Sequence, residues 1–140
     1  MFKQLTPAVA VSPQIEVADV AAAAAQDFVC IVNNRPDGES PDQPAGGAIR
    51  AAAEAAGLRY VAIPVDARGF SQPMVAAMVD ALAAGKTLAF CRSGTRSTNL
   101  WSLASASQGG SIAEITATAA AAGYDVSGLA GAMAQLGGKA

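Results

Sequence analysis

Short apolar runs alternate with longer, alanine-rich segments along this chain. Residues 28–32, 60–65 and 87–90 are nearly continuous in apolar side chains, which is typical of strands buried on both faces of a sheet. Residues 5–15 alternate loosely and contain Pro7 and Pro13, so they predict one or two short edge strands. These runs predict a sheet of at least four strands.

The segments between the runs have the composition and the end signals of helices. Alanine favours helix, and glycine follows several of the segments, as it does at many helix ends. The predicted helices cover residues 16–26, 44–56, 71–84, 97–107 and 111–122, with a short one over 126–136. Strands that alternate with helices in this way predict an α/β fold in three layers, with a mostly parallel sheet and helices on both faces.

Chemically active side chains gather where predicted strands end. In parallel α/β sheets, ligands bind beyond the carboxyl ends of the strands. The loop after Val32 and the loop after Val65 are both rich in charged residues, and Cys91 directly follows Phe90. The charged residues are Arg35, Asp37, Glu39, Asp66, Arg68, Arg92 and Arg96. We expect these three loops to meet at one edge of the sheet.

Composition narrows the chemistry that the chain can perform. The 140 residues include no histidine and only two cysteines, which excludes Ser-His-Asp and Cys-His catalysis and a zinc site. We therefore expect no metal and no cofactor. The net charge of −2 argues against binding to nucleic acid. No run reaches the roughly 18 apolar residues that cross a bilayer, and no signal-peptide core is present, so we expect a cytoplasmic protein without a membrane partner.

The segment from Cys91 to Ser97 combines a thiol with an anion-binding loop. A thiol is a useful nucleophile at neutral pH only as a thiolate, and unpaired N–H groups at a helix N-terminus favour that form. Gly94 allows successive N–H groups to curl inward, and Arg96 offers a bidentate guanidinium. We therefore predict that Cys91 is the nucleophile and that Arg92, Ser93, Gly94, Thr95 and Ser97 form the rest of the loop. Cys30, in the middle of a strand, is interpreted as an inert buried thiol.

The loop and several other stretches resemble known families. The sequence from Cys91 to Ser97 is similar to the active-site loop of rhodanese sulfurtransferases and, more loosely, of protein tyrosine phosphatases. Residues 4–6, 11–15, 31–39, 57–58, 60 and 63–65 resemble a small bacterial family of phosphatase-like domains that are also found fused to beta-lactamase-like hydrolases. The resemblance extends to about Tyr124. It implies a single phosphatase-like domain over residues 1–140, with a fold like that of dual-specificity phosphatases.

The resemblance also implies roles for individual residues. Cys91 matches the nucleophile, Arg96 the anion-clamping arginine and Ser97 the hydroxyl that follows it. Asp66 matches the aspartate that serves phosphatases as general acid, although a loop-solvating or helix-capping carboxylate would look the same. Apart from the resemblance, we expect Arg35, Asp37 and Glu39 to line the site from the neighbouring loop, with Arg35 and Asp37 behind it. Asp37 followed by Gly38 is also typical of an ordinary turn. Two positions depart from tyrosine phosphatases: Phe90 replaces a histidine, and one residue fewer separates Cys91 from Arg96.

The shorter loop leads us to predict sulfur transfer as the main function. The shorter loop forms a smaller ring around the sulfur, which suits a persulfide because only one extra sulfur atom must be bound. A phosphoryl group presents three equatorial oxygens and needs a larger ring. Cys91 would take sulfur from thiosulfate or a small persulfide and pass it to an acceptor, such as a protein thiol. The alternative is a tyrosine or dual-specificity phosphatase that acts through a phosphocysteine, with Asp66 as acid. A non-catalytic anion-binding module is the third interpretation.

Overall fold

The computed structural model describes residues 2–140 as an α/β structure built on one sheet. The strands are β1 (Lys3–Thr6), β2 (Val9–Ser12), β3 (Cys30–Asn33), β4 (Arg59–Ala62) and β5 (Thr87–Phe90). The helices are α1 (Val17–Ala25), α2 (Gly46–Ala55), α3 (Gln72–Leu82), α4 (Thr95–Ser107), α5 (Ile112–Ala121) and α6 (Ala130–Gln135). A short 3₁₀ turn, Ser127–Leu129, precedes α6. The alternation predicted from the sequence is therefore present.

The strands lie in the order β1-β2-β5-β3-β4, and only β1 is antiparallel to its neighbour. β1 forms one edge, as predicted for the N-terminal segment. The prediction of an edge position is wrong for β2, which pairs with β1 on one side and with β5 on the other. Pro7 lies in the turn before β2 and Pro13 follows its last residue, so neither proline interrupts the hydrogen-bonded ladder.

Alternate side chains of the inner strands face opposite layers of helices. Val11, Val32 and Ala89 belong to the cluster that contains the buried residues of α3, α4, α5 and α6. Ile31 and Phe90 point the other way, into the cluster formed with α1 and α2. The period of two along each strand therefore buries both faces of the sheet, which confirms the three-layer prediction.

β5 lies in the middle of the sheet, between β2 and β3. Its carboxyl end therefore opens at the centre of one sheet edge, flanked by the loops that follow β2 and β3. Helix α4 begins at Thr95, two residues before the predicted start, because Gly94 takes a left-handed conformation with φ of 93° and ends the loop early. Across residues 2–140, no helix has the length and hydrophobicity required to span a membrane.

Candidate active site

Cys91 is the first residue after β5 and lies fully buried against the start of α4. Its backbone N–H donates to the carbonyl of Ser12 at 3.3 Å, which fixes the end of the strand. The N–H of Gly94 donates to Cys91 Sγ at 3.1 Å. A backbone donor aimed at the sulfur from the N-cap of a helix stabilises the thiolate relative to the thiol.

Arg96 links all three loops that the sequence predicted to converge. Its Nη1 donates both to Glu39 Oε2 and to the carbonyl oxygen of Val65, each at 2.8 Å. Its Nη2 donates to Glu39 Oε1 at 2.9 Å. The Glu39 carboxylate raises the pKa of Arg96, and the nearby Cys91 thiolate adds to that effect. The guanidinium is therefore held in place at the start of α4 by contacts from two other loops.

The hydrogen bonds of Arg96 leave one edge of its guanidinium open. Arginine has five N–H donors, and the hydrogen bonds found within residues 2–140 use three of them, two on Nη1 and one on Nη2. Nε–H and the second Nη2–H remain, and these two lie side by side on one edge of the planar group. That edge can bind two oxygens of an oxyanion at once.

Glu39 is shared by two arginines. Besides the bidentate contact with Arg96, its Oε1 accepts from Nε of Arg35 at 2.9 Å. The hydrogen bond from Arg96, followed by that from Arg35, lowers the pKa of Glu39 to about 2. Arg35 is 5% exposed and also donates to Gln14 Oε1 at 3.2 Å. The structure therefore places Arg35 behind the site, where it binds the Glu39 carboxylate. That carboxylate in turn binds Arg96.

Ser97 does not donate to the sulfur. The resemblance matched it to the hydroxyl that follows the anion-clamping arginine, and that hydroxyl donates to Oδ1 of Asn34 at 2.8 Å. Both side chains are fully buried. Asn34 in turn donates from Nδ2 to the carbonyl of Ile63 at 3.0 Å. Ser97 thus connects the start of α4 to the loops after β3 and β4.

Asp66 lies near the site but makes its contacts elsewhere. Its carboxylate accepts from the backbone N–H of Arg68 and from the Arg68 guanidinium, with the shortest contact at 2.7 Å. The side-chain hydrogen bond from Arg68 is the main cause that lowers the pKa of Asp66. In this conformation the carboxylate is ionised near neutral pH and has no proton to give.

Asp37 differs from its predicted position behind the site. Its Oδ1 accepts the backbone N–H of Gly46 at 2.8 Å, at the first turn of α2. A carboxylate is favourable there because the N–H groups of a helix N-terminus have no partners within the helix. Asp37 therefore stabilises α2, and Glu39, two residues later, is the carboxylate that reaches the site.

The remaining loop residues form its outer wall. The side chains of Arg92, Ser93 and Thr95 are exposed, and the Ser93 hydroxyl donates to Thr95 Oγ1 at 3.0 Å. The carbonyl of Arg92 accepts from the backbone N–H of Gln14 at 3.2 Å. Arg92 therefore contributes its backbone to the loop, while its charge faces solvent at the rim.

Sequence reasoning missed two residues that support the loop. Asn34 was indicated only by two consecutive asparagines after a buried strand, a pattern that turns also produce. Tyr124, whose hydroxyl donates to the carbonyl of Ser93 at 2.9 Å, lies 31 positions away from it and carries no local signal. Cys30 is buried and unpaired, and burial raises the pKa of its thiol, in agreement with an inert cysteine.

Comparison with known proteins identifies relatives of the chain. A beta-lactamase hydrolase-like protein of Agrobacterium fabrum is 39% identical over 107 residues, which cover 71% of this chain and 23% of that protein. The crystal structure of a candidate phosphatase from Neisseria meningitidis Z2491 is 30% identical, with a TM-score of 0.80, and covers 95% of this chain and 96% of that one. PTPMT1 is 12% identical, covers 98% of this chain and 94% of its own, and shares the fold with a TM-score of 0.75.

These similarities bear on the two enzymatic interpretations. The fold is that of tyrosine and dual-specificity phosphatases, as the resemblance implied. We predicted sulfur transfer as the main function, but the similarities support the phosphatase-like alternative better. The similarities also give no support to a rhodanese-like loop. The sequence model of the phosphatase-like domain of beta-lactamase hydrolase-like proteins matches residues 1–108. The chain therefore belongs to this family of phosphatase-like domains.

Proposed function

We propose that this protein is a cysteine-dependent phosphatase that acts through a phosphocysteine on Cys91. One observation carries the proposal: the Gly94 N–H donates to the buried Cys91 sulfur, and Arg96, in the same loop, keeps two N–H donors without partners among residues 2–140. The first stabilises the thiolate, and the second offers two free donors to a phosphoryl group. Membership of a phosphatase-like family agrees with this chemistry.

The reaction has two displacement steps at phosphorus. Cys91 Sγ attacks, an S–P bond forms, and the ester P–O bond breaks with its electron pair leaving on oxygen. Water then attacks the phosphocysteine, the S–P bond breaks, and the products are inorganic phosphate and the regenerated thiolate. Arg96 holds the equatorial oxygens of the transferring group as negative charge spreads over them.

Asp66 would act in this scheme only after it leaves Arg68. The ion pair holds the carboxylate on Arg68 and lowers its pKa further below the ordinary range, so Asp66 is not poised to protonate a leaving oxygen in the observed conformation. We infer that esters with acidic leaving groups, such as aryl phosphates, need no proton from Asp66. Alkyl phosphates need one, because an alkoxide is a poor leaving group.

Trapping the intermediate tests the proposal. The wild type, Cys91→Ser and the matched control Cys30→Ser react with para-nitrophenyl phosphate, are quenched in acid and are analysed by intact-protein and peptide mass spectrometry. We expect a phosphoryl group on Cys91 in the wild type and in Cys30→Ser, and none in Cys91→Ser.

Parallel samples receive thiosulfate in place of the ester. A gain of one sulfur atom on Cys91, without any phosphoenzyme, would refute the proposal in favour of sulfur transfer. If neither adduct forms and no substrate is turned over, the domain is a non-catalytic anion-binding module.

A further inference from the structure

One peptide group in the loop is held at both of its ends. The N–H of the Ser93–Gly94 peptide donates to Cys91 Sγ at 3.1 Å. The carbonyl of the same peptide accepts from the hydroxyl of Tyr124 at 2.9 Å. Because a trans peptide is planar, its C=O and N–H point in opposite directions. The hydrogen bond from Tyr124 therefore sets the direction in which the N–H points.

Without that hydrogen bond, this peptide would have unusual rotational freedom. Gly94 has φ of 93°, and glycine crosses between positive and negative φ at little cost. A rotated peptide would turn its carbonyl oxygen, instead of its N–H, towards Cys91. A partial negative charge next to the sulfur disfavours the thiolate.

Tyr124 is itself held in place by its surroundings, so its hydroxyl can fix the orientation of the peptide. It is 9% exposed, belongs to the core cluster on the α4 side of the sheet, and its backbone N–H donates to Ala119 at the end of α5. Its ring lies under the Lys3 ammonium, with Nζ 4.9 Å from the ring centroid. A Cβ on Gly94 would clash with the Tyr124 hydroxyl oxygen, so the two residues are in direct contact.

We propose that Tyr124 is a positioning residue for the nucleophile: its hydroxyl holds the Ser93–Gly94 peptide with the N–H on Cys91 Sγ. The proposal rests on the proposed function in one respect, namely that Cys91 works as a thiolate. A hydrogen bond accepted by a peptide carbonyl also polarises its N–H, so the same contact strengthens the donor that faces the sulfur. Tyr124 lies outside residues 1–108, the part that the family model matches.

The test measures the thiolate directly and needs no substrate. Thiolate absorbance in the ultraviolet is recorded against pH for the wild type and Tyr124→Phe, each minus the same protein carrying Cys91→Ser. The subtraction removes the contributions of Cys30 and of the tyrosines. Tyr60→Phe is the matched control, because Tyr60 is the other tyrosine in the chain and its hydroxyl contacts Asn33 instead of the loop.

We expect the midpoint of the Cys91 transition to rise by roughly 0.5 to 1 pH unit in Tyr124→Phe and to stay unchanged in Tyr60→Phe. The charged groups next to the sulfur, Arg96 and its partner Glu39, are the same in all of these proteins. Thermal unfolding of each variant confirms that it is folded. Because phenylalanine fills the same core volume, a purely packing role predicts little change in stability and an unchanged midpoint.

An unchanged midpoint in Tyr124→Phe would overturn the proposal, and so would a wild type in which no Cys91-dependent transition occurs. A thiolate that titrates and responds to Tyr124→Phe, in a protein without phosphatase turnover, would refute the proposed function while supporting the role of Tyr124. The two proposals therefore fail in different experiments.

Discussion

Replacing Glu39 by Gln removes the carboxylate that Arg96 and Arg35 share while keeping the size of the side chain. A glutamine amide has one acceptor oxygen, and its NH₂ group meets the donors of Arg96 unfavourably. The edge of the Arg96 guanidinium that carries Nε–H and the free Nη2–H should then lose its fixed orientation. The change therefore tests whether Glu39 positions Arg96 or competes with the substrate for it.

The structure gives the size of the expected effect. Three charge-assisted hydrogen bonds reach Glu39, at 2.8, 2.9 and 2.9 Å, and glutamine can replace one of them. The carboxylate is 29% exposed, so we take about 1 to 1.5 kcal/mol for each of the two that are lost. The free energy of unfolding should fall by about 2 to 3 kcal/mol. A guanidinium displaced by about 1 Å should reduce kcat/KM by roughly 10- to 100-fold.

Two assays measure these effects. Urea unfolding followed by the fluorescence of the single Trp101 gives the change in stability, and steady-state hydrolysis of para-nitrophenyl phosphate gives kcat/KM. Glu54→Gln is the matched control, because its ion pair with Arg50 is longer, at 3.7 Å, and exposed at both ends. A kcat/KM for Glu39→Gln equal to that of the wild type would refute the reasoning, and a higher one would mean that Glu39 occupies the place of the substrate anion.

Three further predictions follow from contacts at and near the site. The folded-state pKa of Glu39, about 2, lies below its ordinary value of 4.5, so its contribution to stability is present above about pH 4.5 and is lost as the pH falls towards 2. The difference in urea midpoint between the wild type and Glu39→Gln should accordingly shrink over that range, and a constant difference would contradict the assignment. Arg68→Gln should free the Asp66 carboxylate and raise its pKa towards its usual value, and so increase turnover of an alkyl phosphate at acidic pH, where the freed carboxyl group is partly protonated. An equal increase when Asp66→Asn is also present would show that Asp66 is not the acid. Gly94→Ala should destabilise the protein by about 2 to 4 kcal/mol in urea unfolding, because left-handed strain adds to a clash with the side chain of Tyr124, which is buried in the core. Gly123 also has a positive φ, 98°, but open space surrounds the position of a new methyl group. Gly123→Ala should therefore cost only the strain, about 1 to 2 kcal/mol of stability. Equal losses of stability in the two variants would argue against the clash.

Local sequence carried much of the information about the fold. Strand β5 matches its predicted range, and α1 and α5 end within a residue of theirs, because apolar runs and helix ends are local signals. The position of β2 inside the sheet could not be read in this way. It depends on which strand pairs with its free edge, and β5, its partner, lies far away in the chain.

The sequence alone determined that a cysteine, a glycine and an arginine would share a strand-to-helix loop, since adjacency along the chain puts them there. Only the tertiary structure decided what each of them contacts. Glu39 reaches Arg96 across 57 positions, Ser97 turns to Asn34 across 63, and Tyr124 reaches Ser93 across 31. These pairings depend on the strand order and on how the helices pack, because side chains distant in sequence meet only after the sheet has brought the ends of its strands together.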